Sequence, residues 1–153
     1  MRQLALRNKF LLLLNFNQMS LKTVFLVEDD EDDQSFFTSA IATIEQVVLQ
    51  GIADNGQEAL DKLKYSIMLP DIIFMDINMP KLNGKDCLIE MKRDARLHNI
   101  PVVIMSTSTL EADLVSRLGA KAFIKKPSEE IKLRTKLKEV IEALLVPPHQ
   151  VAV

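Results

Sequence analysis

The chain has 153 residues, of which 26% are charged and 48% hydrophobic, and these values are typical of a globular protein with one domain. Its formal charge of −2 offers no argument for a nucleic-acid partner. One cysteine and two histidines exclude an internal disulfide and a cysteine metal cluster, and they disfavour a histidine-rich zinc site.

Residues 1–18 differ in composition from the rest of the chain. They contain three basic residues, no acidic one and a single short apolar run over 10–14. A membrane span needs about 20 apolar residues, and a secretory signal needs a longer run and a small-residue cleavage site. We therefore predict an extension outside the fold, then a domain over 19–147 and a tail over 148–153. A short amphipathic helix that packs on the domain or on a partner is the alternative for the extension.

The first predicted strand, over 23–27, is an apolar run rich in β-formers that ends in six consecutive acids. Asp32 or Asp33 is predicted to cap a helix that runs to about Val47, because acids in a first turn favour the helix dipole. A second strand is predicted over 47–53.

A second helix is predicted to begin at Asn55, with Glu58 three residues later completing a pattern typical of a capping box. The stretch that follows Asp71 predicts the central strand, because its apolar residues show no polar alternation, as in strands buried on both faces of a parallel sheet. This strand must stop near Asp76, since Pro80 cannot donate to a sheet ladder. Ligands of open α/β sheets gather at the carboxyl ends of strands, where Asp76 would lie.

A third helix follows, marked by apolar residues at Cys87, Leu88, Met91 and Leu97. Strands are then predicted over 102–105 and 122–125, and they end at Ser106 and Lys126. Ser108 or Thr109 is predicted to cap the helix between them, and Ser128 the final helix. Strands and helices thus alternate five times, which predicts a (βα)5 sandwich around a parallel sheet.

Polar groups close four of these strands: Glu28 and Asp29 the first, Asp76 the third, Ser106 the fourth and Lys126 the fifth. Converging carboxylates repel one another unless a cation lies between them, and oxygen ligands suit Mg²⁺. A hydroxyl and an ammonium in the same crevice suit an anion, phosphate above all. A carboxylate can attack phosphorus and form an aspartyl phosphate, so the arrangement favours phosphoryl transfer.

These residues closely resemble the receiver domain of two-component response regulators of the CheY type. The matching pieces are 25–30, 76–80 with Gly84, Ser106 and the Lys126–Pro127 pair. The resemblance extends from about residue 22 to residue 145. It implies a flavodoxin-like (βα)5 sandwich with a five-stranded parallel sheet in the order 2-1-3-4-5.

The resemblance also implies a role for each acid and for one carbonyl. Asp76 would be the phosphoacceptor and a metal ligand. Asp29 would bind Mg²⁺ directly, and Glu28 would act mainly through a metal-bound water. The backbone carbonyl of Asn78 would be the third protein ligand.

Ser106 and Lys126 would contact the phosphoryl group, and Phe123 would be the aromatic switch that turns inward when Ser106 moves. An ordinary packed aromatic is the alternative for Phe123, and a helix-capping hydroxyl the alternative for Ser106. The resemblance further implies a cis Lys126–Pro127 bond.

The implied function is a stand-alone, cytoplasmic, phosphorylation-switched signalling module. A histidine kinase or a histidine phosphotransfer protein would donate the phosphoryl group, and an unknown downstream protein would bind the face formed by the fourth helix, fifth strand and fifth helix. The chain would catalyse only its own phosphorylation and dephosphorylation. It would bind no nucleic acid and no membrane, and it would be a monomer or a weak dimer.

Three other functions fit the sequence less well. A phosphatase of the haloacid-dehalogenase type needs a second Asp two residues after its nucleophile, where this chain has Asn78, and also a cap domain. A receiver-like module that binds partners without phosphate would not need Asp76, Asp29 and Lys126, which are all present. A DNA-binding regulator would need a reading head after Leu145, and we expect none in this chain.

Overall fold

The computed structural model describes residues 20–145, in which five strands alternate with five helices. The predicted extension and tail, 1–18 and 148–153, lie outside the described residues. In chain order the elements are β1 (Lys22–Val27), α1 (Glu31–Ala42), β2 (Val47–Ala53), α2 (Gly56–Tyr65), β3 (Ile72–Asp76), α3 (Gly84–Arg93), β4 (Val102–Ser106), α4 (Ala112–Arg117), β5 (Ala122–Lys125) and α5 (Glu130–Leu145).

The strands form one parallel sheet in the order β2-β1-β3-β4-β5, which confirms the predicted fold and strand order. All five residues of β3 are buried, as its continuous apolar run predicts. Val27 pairs with Met75, and Asp76 pairs with Met105. The carboxyl ends of β1, β3 and β4 therefore meet at one edge of the sheet.

Two apolar layers cover the sheet, because successive residues of a strand point to opposite faces. Ile73 and Met75 of β3 pack towards α2, α3 and α4, whereas Ile72 and Phe74 pack towards α1 and α5. The rings of Phe37 and Phe74 have centroids 5.3 Å apart across the second layer. Burial of a large apolar side chain contributes about 1.5–3 kcal/mol, so these layers hold the strand ends in fixed positions.

The edge strand β2 contains a β-bulge. Val24 of β1 pairs with Leu49, but the next residue, Phe25, pairs with Gly51, so Gln50 is one extra residue in β2. The Gln50 side chain donates to the carbonyl oxygen of Met68 at 2.7 Å. A Cβ at Gly51 would lie 2.9 Å from the Phe25 ring, which explains the glycine at the bulge.

The predicted limits of the first helix are wrong at both ends. Asp30 caps α1: its extended backbone (φ −88°, ψ 120°) lets its carboxylate accept the N–H of Asp33 at 2.9 Å. The helix ends at Ala42 rather than near Val47, and the chain turns through Gln46 at a φ of 61° before β2 begins. Asp33 is therefore not a cap, and its side chain is available for another contact.

The predicted N-cap of the second helix is confirmed, because the side-chain oxygen of Asn55 accepts the N–H of Glu58 at 3.0 Å. The Glu58 carboxylate accepts from Asp54 N–H rather than from Asn55 N–H. Leu97, which was assigned to the third helix, lies in a turn beyond Arg93.

The predicted caps of α4 are also wrong. Within residues 20–145, no side chain caps this helix, whose N-cap position is Glu111. Ser108 Oγ accepts the N–H of Leu110 at 3.3 Å, so it stabilises the preceding turn instead.

Every peptide bond over residues 20–145 is trans, so the cis Lys126–Pro127 bond implied by the resemblance is wrong. Trans is the lower-energy isomer of an X–Pro bond by about 0.5–1 kcal/mol. Among the same residues, none of the helices has both the length and the apolar character that crossing a membrane requires.

Candidate functional site: an acidic cluster with a buried lysine

Three acids meet where β1 and β3 end, as the sequence predicts. The N–H of Glu28 donates to Ala53 O at 2.9 Å, so the chain continues the sheet by one residue beyond β1. Each of Glu28, Asp29 and Asp76 has a carboxylate oxygen within 4.8 Å of the other two. Glu28 and Asp76 are buried, whereas Asp29 is exposed, so the cluster opens to solvent on the Asp29 side.

The backbone fixes the position of the Asp76 side chain, which is 10% exposed. Its Oδ2 accepts the N–H of Asn78 at 2.8 Å, and its Oδ1 lies 2.9 Å from the Lys126 ammonium. The N–H of Gly84 donates to Ile77 O at 2.9 Å, which brings the start of α3 against the end of β3. Both carboxylate oxygens therefore have defined partners.

Lys126 places its ammonium inside the cluster rather than in solvent. Its N–H donates to the carbonyl oxygen of Ser106 at 2.8 Å, which extends β5 along β4. Its Nζ then lies 2.6 Å from Glu28 Oε2 and 2.7 Å from Asp33 Oδ2, in addition to the contact with Asp76. The Lys126 side chain is 15% exposed. Lys126 is therefore not a solvated surface side chain.

The sequence pattern predicts Asp33 as a helix cap and does not indicate it as a site residue. One signal could have found it, because residues four apart lie on the same face of a helix. Asp33 precedes the buried Phe37 by four residues, so it lies on the inward face of α1.

Burial and charge oppose each other at Glu28 and Lys126. Burial raises the pKa of Glu28 above its usual value, and the hydrogen bond from Lys126 only partly offsets this. Burial lowers the pKa of Lys126, but its hydrogen bonds with Asp33, Glu28 and Asp76 outweigh this, so the net pKa is raised. Lys126 is therefore a permanent cation at neutral pH.

Ser106 ends β4 at the same edge, and Phe123 lies two residues before the end of β5. Ser106 is buried, and its Oγ accepts the N–H of Ser108 at 3.2 Å. Phe123 pairs with Ile104 in the sheet and is half-buried against the layer formed with α2, α3 and α4. The structure brings every predicted site residue to this edge or to the strands that form it.

The residues fit a hard divalent cation. Their donors are carboxylate oxygens from two adjacent strand ends, and Mg²⁺ prefers oxygen ligands over nitrogen or sulfur. With Asp33, the site contains four carboxylates and one ammonium, so it keeps excess negative charge that a cation can neutralise.

Comparison with known proteins identifies the family of the chain. A family model described as the response regulator receiver domain matches residues 24–138. A protein-glutamate methylesterase/protein-glutamine glutaminase from Bacillus licheniformis is 36% identical over 114 residues, which cover 72% of this chain and 30% of that protein. The chain thus spans less than a third of the length of this relative. Protein PilH from Pseudomonas aeruginosa is 31% identical over 109 residues, which cover 70% of this chain and 87% of PilH.

Among solved structures, the phosphorylated cyanobacterial phytochrome response regulator RcpA has 32% sequence identity to this chain and superposes with a TM-score of 0.72. The match covers 83% of this chain and 96% of RcpA. The fold, the edge that collects the acids and the matched family model lead to one conclusion: the chain belongs to the response regulator receiver domain family, which serves two-component signalling.

Proposed function

We propose that this chain is a phosphorylation-activated receiver of a two-component phosphorelay, which accepts a phosphoryl group on Asp76 in the presence of Mg²⁺. The observation that carries the proposal is the environment of Asp76. A buried carboxylate lies 2.9 Å from a buried ammonium, and two further acids converge on it. Such a carboxylate can act as a nucleophile whose product is stabilised by the surrounding charges.

In the proposed reaction, a carboxylate oxygen of Asp76 forms a bond to phosphorus while the donor's bond to phosphorus breaks. The donor would be a phosphohistidine, whose imidazole keeps the electron pair of the broken N–P bond. Lys126 neutralises charge on the phosphoryl oxygens, and the Ser106 hydroxyl donates a hydrogen bond to one of them. Asp29, Asp76, the carbonyl of Asn78 and, through water, Glu28 would hold Mg²⁺, which supplies further neutralisation when bound.

The partners follow from the phosphoryl chemistry. Receiver domains interact with kinases and phosphotransfer proteins, and we assign a cytoplasmic histidine kinase or histidine phosphotransfer protein as the donor. The output face would comprise α4, β5 and α5, with Ser106 and Phe123 as its switch. Apolar side chains stand exposed on this side of the molecule, namely Leu110 (91%), Leu114 (41%) and Ile131 (60%). They suit a protein partner.

We further propose that the chain turns over no external substrate. The methylesterase named above is matched over only 30% of its length, and the matched part of this chain is its receiver fold. A phosphatase with an aspartyl nucleophile is disfavoured as well, because the residue two positions after Asp76 is Asn78, whose side-chain amide cannot act as the second carboxyl group that such an enzyme needs.

Intact-mass spectrometry after incubation with acetyl phosphate tests the proposal. We expect one phosphoryl group per chain, only in the presence of Mg²⁺, and none on Asp76→Asn. Asp32→Asn, which neutralises an exposed acid on α1, is the matched control and should be phosphorylated like the wild-type chain. An adduct that persists on Asp76→Asn would contradict the choice of carboxylate, and the absence of any adduct would favour a phosphate-independent binding module.

A further inference from the structure

The contact between Asp33 and Lys126 joins two residues that are 93 positions apart in the chain. Asp33 lies in the first turn of α1, and its Oδ2 accepts from the Lys126 ammonium at 2.7 Å. An ammonium has three N–H donors. Because Glu28 Oε2 accepts from the same nitrogen and Asp76 Oδ1 lies 2.9 Å from it, three carboxylates contact this one ammonium.

Of the three carboxylates that contact Lys126, two are candidate metal ligands and one is not. Glu28 and Asp76 belong to the group whose oxygens converge within 4.8 Å, so both are also candidate metal ligands. Asp33 is not part of that group. A cation that binds the convergent acids competes with Lys126 for Glu28 and Asp76, whereas it leaves the contact between Lys126 and Asp33 intact.

We propose that Asp33 is a positioning residue that holds the Lys126 ammonium on the α1 side of the site, so that Glu28 and Asp76 become available to a divalent cation without release of Lys126. Without Asp33, the ammonium would have only those two acids as partners, and it would neutralise both of them more strongly. This inference rests on the proposed function, because it assumes that the acids bind Mg²⁺.

The contact between Asp33 and Lys126 differs from an ordinary surface ion pair. Exposed pairs contribute little because both partners are solvated and screened by salt. Here the Asp33 side chain is 47% exposed, but the Lys126 side chain is only 15% exposed. The ammonium therefore cannot replace a lost carboxylate with bulk water as easily as a surface lysine would.

Isothermal titration calorimetry with MgCl₂ alone, at physiological ionic strength, tests the inference without any phosphoryl donor. We expect Asp33→Asn to weaken Mg²⁺ binding by roughly threefold to tenfold, the range for loss of a partly exposed charged hydrogen bond. Asp32→Asn removes the same charge from an exposed position on the same turn and should stay within about twofold of wild type. Asp33→Glu keeps the carboxylate and should bind Mg²⁺ like the wild-type chain.

A double-mutant cycle distinguishes an effect of Asp33 that passes through Lys126 from the direct effect of its negative charge on the bound cation. In a Lys126→Met background, adding Asp33→Asn should no longer weaken Mg²⁺ binding more than adding Asp32→Asn does. A full effect of Asp33→Asn in that background would overturn the inference, because Asp33 would then act on the metal directly. Equal affinities for Asp33→Asn and Asp32→Asn in the wild-type background would also overturn it. Mg²⁺ binding by Asp33→Glu that is as weak as that of Asp33→Asn would also overturn the inference. This comparison does not require Lys126→Met to fold.

A wild-type chain that binds no Mg²⁺ would contradict the proposed function and the inference together. Wild-type binding that is insensitive to Asp33→Asn would contradict the inference alone. The same titrations therefore distinguish the two failures.

Discussion

A methyl group on Gly84 would lie 2.1 Å from the backbone carbonyl oxygen of Asp76 and 2.9 Å from the Cα of Ile77. Both obstacles are backbone atoms, so no side chain can turn aside to make room. We expect Gly84→Ala to lower the free energy of unfolding by about 3 kcal/mol, the upper end for overpacking in a core. Urea unfolding followed by circular dichroism measures this change.

Gly51→Ala is the matched control for that substitution. Its added methyl group would meet the Phe25 ring at 2.9 Å, and a ring can shift where a backbone cannot. We expect a loss of about 1 kcal/mol at this position. Equal losses at the two glycines would show that the end of β3 and the start of α3 can separate more easily than their contact indicates.

Lys126→Met should destabilise the chain in the absence of Mg²⁺. The substitution removes the ammonium from carboxylates that are 3% and 10% exposed, at Glu28 and Asp76 respectively. Breaking a buried ion pair on one side costs about 3 kcal/mol, because the remaining charge is left without compensation. Urea unfolding at neutral pH without divalent cations measures the loss.

The exposed neighbour Lys125 provides the control for this prediction, since Lys125→Met removes the same charge from the surface. It should change the free energy of unfolding by less than about 0.5 kcal/mol. Addition of Mg²⁺ should recover part of the stability of Lys126→Met, because binding to the folded state shifts the equilibrium towards it. Equal stabilities of the two variants would mean that the acids are well solvated.

Cys87 should be inert towards a thiol reagent at pH 8. The side chain is fully buried between α2 and α3, where its Sγ lies 3.6 Å from Gly56 O. Burial, with a smaller contribution from the charge of Glu90, raises the pKa of the thiol to about 12, so almost no thiolate forms at pH 8. A colour assay with an aromatic disulfide should give no reaction until urea is added, and then one thiol per chain.

Ser39→Cys, at an exposed position of α1, should react at once and supply the positive control. Rapid reaction of Cys87 in the folded wild-type chain would indicate that the contact between α2 and α3 opens on the timescale of the assay.

Glu58 should contribute stability that disappears in acid. Its hydrogen bonds from Lys62 and from the N–H of Asp54 lower its pKa in the folded state below the usual value of 4.5. A lowered folded-state pKa means that the unfolded chain binds protons first, so the contribution is present above pH 4.5 and is lost as the pH falls through the folded-state value. Urea unfolding of Glu58→Gln and wild type between pH 7 and pH 3 should show a difference that shrinks in that window.

Asp61→Asn removes an acid from an exposed position of the same helix and serves as the charge control. A difference between Glu58→Gln and wild type that stays constant from pH 7 to pH 3 would contradict the assignment of this ion pair.

The sheet could be predicted from the sequence because buried parallel strands have continuous apolar sequences with polar residues at their ends. The interval 47–53 coincides with β2, and Asp76 closes β3 as its position predicts. The convergence of Glu28, Asp29 and Asp76 follows from strand order alone, since neighbouring parallel strands end at the same edge.

Helix caps and long-range contacts were less predictable, for separate physical reasons. Six consecutive acids offer several caps of similar chemistry, and only the extended backbone of Asp30 selects one of them. The spacing of Asp33 to the buried Phe37 places it on the inward face of α1, but its contact with Lys126 depends on how α1 lies against the end of β5. A cis Lys126–Pro127 bond would need the surrounding fold to overcome the intrinsic trans preference of an X–Pro bond, and the dipeptide alone does not show whether it does.

The bulge in β2 has a consequence for self-association. An edge strand presents backbone groups that can pair with a strand of another molecule, and long, regular edges favour aggregation. Gln50 interrupts the regular alternation of β2 and twists the strand locally, while its side chain is tied to Met68 O. A second strand could align with β2 on only one side of the bulge at a time. The extra residue thus makes this edge a poor template for intermolecular sheet growth.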